Sequence, residues 1–509
     1  MIRTAMTENG MVKGIEAADP RITAFKGIPF AAPPVGENRW RAPQPCHNWE
    51  GVLEAYRFAP ISVQDTPGIG DDVYIREWHV DPDIAMSEDC LYLNVWTGAK
   101  NNDEKQPVLV WFFGGALQWG YPAEMEFDGE RLARRGVVVV TVNYRINVFG
   151  FLSHPEITKE QSEAPTNFGN LDQQAGLKWV IRNIQAFGGD PNNITIAGQS
   201  AGGGSVLSQM TCPDNFGLFK RAVIQSAMIR SPYKERGIGF PRPLSEAEQL
   251  GKKFFEFIGA KNLKEARQLD AFHIRDMYAK FRESHEWMGT VIDGRFCVGD
   301  PIQLYMEHKQ AMVPVMSGNT SEEFLNVIRA KDDAEFVQRA KDIFGSYAEE
   351  FLHFPEAWVK DKNQNYAAVS GIECTIKSVF LRNQESGNPQ KNFYYRFDAD
   401  IPGWDNAGNF HSVDLWFFFE TLAKSWRPFT GKHYDLARLM CNYWVNFIKN
   451  GDPNGKDADG TDMPKWLPYT KETPYDMLLS TEGVVQLEKQ EDPFKQFLID
   501  RTTESILNL

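Results

Sequence analysis

Ser200 stands in Gly198-Gln199-Ser200-Ala201-Gly202, after the apolar run Ile194-Thr195-Ile196-Ala197 and before small residues that can open a helix. Strand, G-x-S-x-G and helix together make a nucleophile elbow. Its turn is tight enough to ask for glycine on both sides. It lifts the serine above a sheet and aims the N–H of the next residue, Ala201, at a forming oxyanion. A serine hydroxyl is a poor nucleophile at neutral pH. It needs a base, and the base needs an acid to fix its tautomer. Behind an elbow these follow in the order serine, acid, histidine.

The later histidines are His273, His285, His308, His353, His411 and His433. His411, in Gly408-Asn409-Phe410-His411-Ser412-Val413-Asp414, lies in a loop between a strand and an apolar segment, where a base is needed. His273, His308 and His433 fall in charged helical stretches and read as surface residues; His285 and His353 stay open. The acid is Glu323, just past the apolar strand 313–318. The alternative there is a helix N-cap at Ser321 followed by two acids, and Glu322 and Glu323 can divide the two roles. Gly115 and Ala116 end the buried run 107–113 and offer further oxyanion N–H groups; the plainer reading is a Gly-rich turn.

These residues need a frame. The runs 107–113 and 137–142 are continuously apolar, as in strands buried on both faces. Residues 170–185 carry helical spacing (Leu171, Ala175, Leu177, Val180, Ile181, Ile184), and 222–226 and 393–397 return to strand. Buried strands alternating with helices predict an α/β chain with a mostly parallel, doubly wound sheet. The segments 241–290 and 322–390 turn helical and charged, as insertions capping that sheet. A long amphipathic helix over 432–450 stops at Gly451-Asp452-Pro453. No linker or repeat divides residues 1–509, so one catalytic domain is expected.

A net charge of −14 disfavours nucleic acid and anionic membrane as partners. The start shows no apolar signal region, and no run reaches membrane-spanning length. Six cysteines without C-x-x-C spacing read as buried thiols. The expectation is a cytoplasmic protein without metal or cofactor, its oligomeric state left open.

The motifs Gly27-Ile28-Pro29-Phe30-Ala31, Glu88-Asp89-Cys90-Leu91-Tyr92-Leu93-Asn94, Asn143-Tyr144-Arg145, Gly188-Gly189-Asp190-Pro191 and the elbow closely resemble the type-B carboxylesterase family of carboxylesterases, cholinesterases and bacterial p-nitrobenzyl esterases. The resemblance covers nearly the whole chain. It implies an α/β-hydrolase fold and a Ser-Glu-His triad of Ser200, Glu323 and His411. It also implies oxyanion donors at Gly115, Ala116 and Ala201, and a serine, Ser226, that supports the glutamate. The chain departs from the pattern at Gln199, where relatives carry Glu, at Phe324, where they carry Gly, and at Ala116, the third Gly of the usual run. Ser62 stands where secreted relatives carry the cysteine that pairs with the one matching Cys90, so a free Cys90 is implied.

The function expected is hydrolysis of a neutral small-molecule carboxylic ester through an acyl-enzyme. A lipase would want an apolar lid, and residues 65–83 are polar. A non-catalytic binding protein would have lost triad residues. Leu117, Gln118, Gln199, Phe324 and Phe410 are candidates for the substrate pocket, as are Trp119, Trp287 and Met288. Val80 falls where cholinesterases carry the tryptophan that holds a quaternary ammonium. With Gln199 uncharged as well, both cation-favouring features are expected to be missing; Trp78 is close in sequence, but alternation does not assure it the same direction.

Overall fold

A computed structural model describes residues 1–234, 240–387 and 390–508. Its centre is a sheet of eleven strands. In chain order these are β1 (Ile15–Glu16), β2 (Thr23–Pro29), β3 (Tyr92–Thr97), β4 (Gln106–Phe112), β5 (Val138–Val142), β6 (Gly189–Gln199), β7 (Arg221–Gln225), β8 (Val315–Thr320), β9 (Asn392–Phe397), β10 (Asp476–Ser480) and β11 (Gly483–Leu487). Across the sheet they lie β11-β10-β9-β8-β7-β6-β4-β5-β3-β2-β1. Every neighbouring pair from β10 to β5 is parallel. Antiparallel strands finish both edges.

β5 reads Val-Val-Val-Thr-Val with every residue buried. A strand buried throughout needs cover on both faces, and helices supply it. The helices used below are α1 (Val73–Glu77), α2 (Phe168–Asn183), α3 (Ala201–Thr211), α4 (Leu244–Phe257), α5 (Leu263–Gln268), α6 (Ala271–Phe281), α7 (Asp333–Phe344), α8 (Ala348–His353), α9 (Gly371–Glu385) and α10 (Gly431–Asn450). Of these, α2 and α3 pack on β6, α9 on β8 and α10 on β4. No helix among the described residues is long and apolar enough to cross a membrane.

Within 241–290, helices α4 to α6 bring Phe254, Ile274, Tyr278 and Phe281 into a second core that they share with Trp40, Phe149, Phe151 and Phe168. The stretch 322–390 is less uniformly helical than its pattern predicts. Besides α7, α8 and α9 it holds an antiparallel ribbon of Leu325–Ile328 and Tyr366–Ser370. These short strands carry β-branched residues at Val327, Ile328 and Val369, a signal masked by the charged helices between them. His433 also departs from its surface reading. It is buried at the start of α10, where its Nδ1 accepts from the Thr430 N–H at 3.0 Å and its Nε2 lies 2.6 Å from the Asp400 carbonyl. It therefore caps the helix.

Candidate active site

β6 ends at Gln199 and α3 begins at Ala201, so Ser200 alone makes the turn, at φ +55° and ψ −129°. Holding a non-glycine residue there costs about 1–3 kcal/mol and needs outside support. The Ser200 N–H donates to the Gln225 carbonyl and its own carbonyl accepts from the Gly204 N–H, both at 2.9 Å. The flanking glycines serve close approach rather than positive φ. A Cβ on Gly202 would lie 2.1 Å from the Phe112 carbonyl oxygen, and one on Gly198 would lie 2.4 Å from that of Gly202. They let helix and strands touch.

Sheet register sets the other half of the site. Phe112 pairs with Gly198, so two residues further on Gly114 lies beside Ser200; a Cβ on Gly114 would be 3.2 Å from that of Ser200. Gly115, Ala116 and Leu117 follow at φ +104°, +55° and +59°, which turns the loop sharply over the elbow. Tyr144 and Arg145, read above only as family markers, hold this loop together with Asn147 and Gln64. The Tyr144 hydroxyl donates to the Phe113 carbonyl at 2.6 Å, and the Asn147 N–H to that of Leu117 at 2.6 Å. The Gln64 amide closes on both the N–H and the carbonyl of Gly120. Arg145 makes a buried, two-pronged pair with Asp172 that anchors Tyr144 in turn.

Glu323 is buried just beyond β8. One carboxylate oxygen accepts from the Ser226 hydroxyl at 2.7 Å and the Thr320 N–H at 2.8 Å; the other meets His411 Nδ1. A proton on Nδ1 therefore serves the carboxylate and leaves Nε2 with a lone pair, the tautomer a general base requires. The nearest donor to that lone pair is the Gln199 side-chain amide, 3.2 Å away. Glu322 has a different task from its neighbour. It accepts from the Asn409 N–H at 2.6 Å and so fixes the loop that carries the histidine. No helix begins at Ser321, which opens a turn into the ribbon instead. Phe324, at φ +42° where relatives have glycine, sets its ring 4.4 Å from that of His411.

Ser200, His411, Gly114, Gly115 and Ala116 share the wall of one cavity of about 370 Å³ with Gln199, Phe324 and Trp119. Five of the eight expected pocket residues do not line it. Gln118 is buried elsewhere, donating to the Met288 carbonyl and accepting from the Tyr278 hydroxyl. Phe410 packs on Trp78, and Leu117 lies between the two cores. Met288 belongs to the second core, and Trp287 reaches the site only through the ring of Trp119.

The sequence missed the segment that carries α1. Glu77, at its end, accepts from Trp416, Trp426 and Arg427, a buried knot that fixes the helix. The segment then presents Tyr74, Trp78 and His79 to the cavity; Val80 stays out of it. The sequence also missed Asp414, which accepts from the Tyr395 hydroxyl at 2.8 Å; burial pushes its carboxyl up to about 7. Three other acids, Glu373, Asp476 and Glu491, gather far along the chain. The buried Lys377 ammonium sits among them within 2.8 Å of each, so they are occupied by an internal cation.

Comparison with known proteins agrees with this geometry. The carboxylesterase family model matches residues 2–368 and 355–496. The para-nitrobenzyl esterase of Bacillus subtilis (strain 168) is 31% identical over 94% of this chain and 95% of its own length. Human bile salt-activated lipase is also 31% identical; the match takes in 92% of this chain but spans only 65% of that protein. The crystal structure of the carboxylesterase EST55 of Geobacillus stearothermophilus superposes with a TM-score of 0.75 at 29% identity, covering 98% of this chain and all of that one. An elbow serine, a carboxylate-held histidine and a matching family model across almost the whole sequence lead to one assignment: the chain belongs to the carboxylesterase family, with the α/β-hydrolase fold.

Proposed function

We propose that this carboxylesterase hydrolyses small-molecule esters with Ser200 as nucleophile, His411 as base and Glu323 as the acid that orients it. The observation that carries the reading is the placement of His411. Its Nδ1 is fixed on buried Glu323 while the ring, Ser200 and the Gly114–Ala116 loop face one cavity. His411 Nε2 takes the Ser200 proton as Oγ bonds to the ester carbonyl carbon. The N–H groups of Gly115, Ala116 and Ala201 receive the oxyanion, each such donor being worth about 3 kcal/mol. The same proton passes to the leaving alcohol, and water repeats the sequence on the acyl-enzyme. In the resting enzyme the Gln199 amide donates to Nε2, so it must yield that lone pair to the Ser200 hydroxyl when substrate arrives.

The cavity supports small acyl groups over the long chains of a lipase: its volume is limited and its lining includes Asp65, Asp72, Glu124 and Glu126. The expectation of neutral substrates rests on Gln199 and Val80 and does not count those carboxyls. We place the enzyme in the cytoplasm on its six free cysteines, Cys90 beside Ser62 among them, and we expect neither nucleic acid nor membrane as partner. Ser200→Ala is expected to lower kcat on p-nitrophenyl butyrate by more than a hundredfold, with the melting temperature retained and organophosphate labelling abolished. Retention of more than about a hundredth of the activity would make Ser200 the wrong nucleophile.

A further inference from the structure

Two carboxyls in the cavity wall have no part in the chemistry above. Glu124 and Glu126 flank Met125 in a short 3-10 turn and are 7% and 1% exposed. Glu124 lies 2.8 Å from His79 Nδ1 and accepts from the Tyr121 N–H at 3.3 Å. Glu126 Oε2 has neither solvent nor a hydrogen-bond partner, although the residue lines the cavity. Burying a carboxyl this way is costly unless something completes it.

Within the wall only Glu124 can do so, through a hydrogen bond that needs a proton on one of the two carboxyls. No Lys or Arg is among the described residues that line the cavity. Its other acids are already engaged: Asp65 pairs with Arg282 and accepts from the Trp119 ring N–H, and Asp72 caps α1. His79 brings no charge, because burial pushes its imidazole down. Burial pushes both glutamates up, Glu124 to about 8; the Glu124 charge raises Glu126 further, while the hydrogen bond between the two draws Glu124 back down. The pair therefore holds a proton at neutral pH that an incoming N–H cation would displace. Trp78 contributes a ring to the same wall, and a cation near it is favoured.

We propose that Glu126, backed by Glu124 and His79, is a specificity subsite for a protonated amine carried by the ester substrate, the ammonium N–H donating to the Glu126 carboxylate where that residue lines the cavity. The proposal rests on the reading that Ser200 attacks its ester in this cavity. It differs from a cation held on an aromatic face alone, because a quaternary ammonium has no N–H to give. The substrates selected are esters bearing a primary, secondary or tertiary amine, and a fixed trimethylammonium gains less.

The test compares butyrate esters of ω-dimethylamino alcohols with two to six methylenes against their hydrocarbon isosteres, with CH in place of N–H, and against the trimethylammonium analogues. Methyl ω-dimethylaminoalkanoates place the amine on the acyl side instead. At the best spacing the wild type is expected to prefer the amine over its isostere by at least about tenfold in kcat/KM, and over the quaternary ester. Glu126→Gln is expected to bring the amine-to-isostere ratio within about twofold of one. The ratio is read within each variant, so a general loss of activity cancels. Should that variant fold poorly, Glu124→Gln is expected to lower the same ratio. In the wild type, n-pentylammonium is then expected to inhibit competitively at least about tenfold more tightly than n-pentanol. A flat wild-type ratio at every spacing would overturn the proposal. So would an amine preference untouched by Glu126→Gln, which would move the cation to the face of Trp78. Failure of the underlying reading shows separately, as hydrolysis of the neutral isostere by Ser200→Ala.

Discussion

Replacing Gln199 by glutamate tests how the base is held. Gln199 is 2% exposed, and its amide nitrogen lies 3.2 Å from His411 Nε2. The amide donates to a neutral imidazole; a carboxylate in its place would accept, and would favour the imidazolium. Opposite unit charges at that distance attract by about 5 kcal/mol at an effective dielectric constant of 20, which is the ceiling. Removing the new carboxylate from water takes back several kcal/mol of it. A net effect of about 1.4 kcal/mol moves the acid limb of kcat/KM up by about one pH unit. The assay is the pH–rate profile on p-nitrophenyl butyrate well below KM, with Gln199→Ala beside it. Gln199→Ala removes the donor that favours the neutral ring without adding charge, and is expected to move the limb up by less than Gln199→Glu does. A Gln199→Glu limb that stays within about 0.2 unit of wild type, or moves to lower pH, would refute the contact as the group that governs Nε2.

Ser226→Ala removes the 2.7 Å hydroxyl donor to Glu323 and leaves the Thr320 N–H; a hydrogen bond to a buried charge is worth about 1.5–3 kcal/mol, so kcat should fall about 10- to 100-fold with KM nearly unchanged. Glu124 has its carboxyl raised from 4.5 to about 8, so its contribution to stability is fully present below the lower value and is lost as pH rises through the upper one. The melting temperature of Glu124→Gln relative to wild type should therefore climb across that window, by about 2 °C or more, in thermal scans at successive pH values. Thiol titration in denaturant without reductant should count six free cysteines, and the native protein should react first at Cys46, the one that is not buried. A protected pair would contradict that cysteine arrangement.

The sequence makes the elbow and the histidine loop legible because each is a local pattern: a strand that ends, small residues, and one reactive side chain. The reason for the glycines is not local, since what Gly202 avoids is the carbonyl of Phe112, on another strand. His433 reads as a surface residue because only charge, not capping geometry, shows in its neighbourhood. The Asn143-Tyr144-Arg145 motif is visible as a string, but its work is done at Phe113 and Asp172, which nothing in the string names. Hardest to foresee is the wall of the cavity. Trp78 and His79 lie in an irregular segment and Glu126 in a single 3-10 turn, so none has a period to read. Glu126 reaches that wall on the loop after β4, and β4 and β6 are held in one register with Phe112 beside Gly198. That register delivers the loop after β4 to the serine, and the same loop runs on to Glu124 and Glu126. The proposed selectivity is thus tied to the strand pairing that builds the proposed oxyanion loop. A change along residues 114–126 should therefore alter turnover and substrate choice together, whereas a change at Ile75, in the α1 wall of the cavity, should alter choice alone.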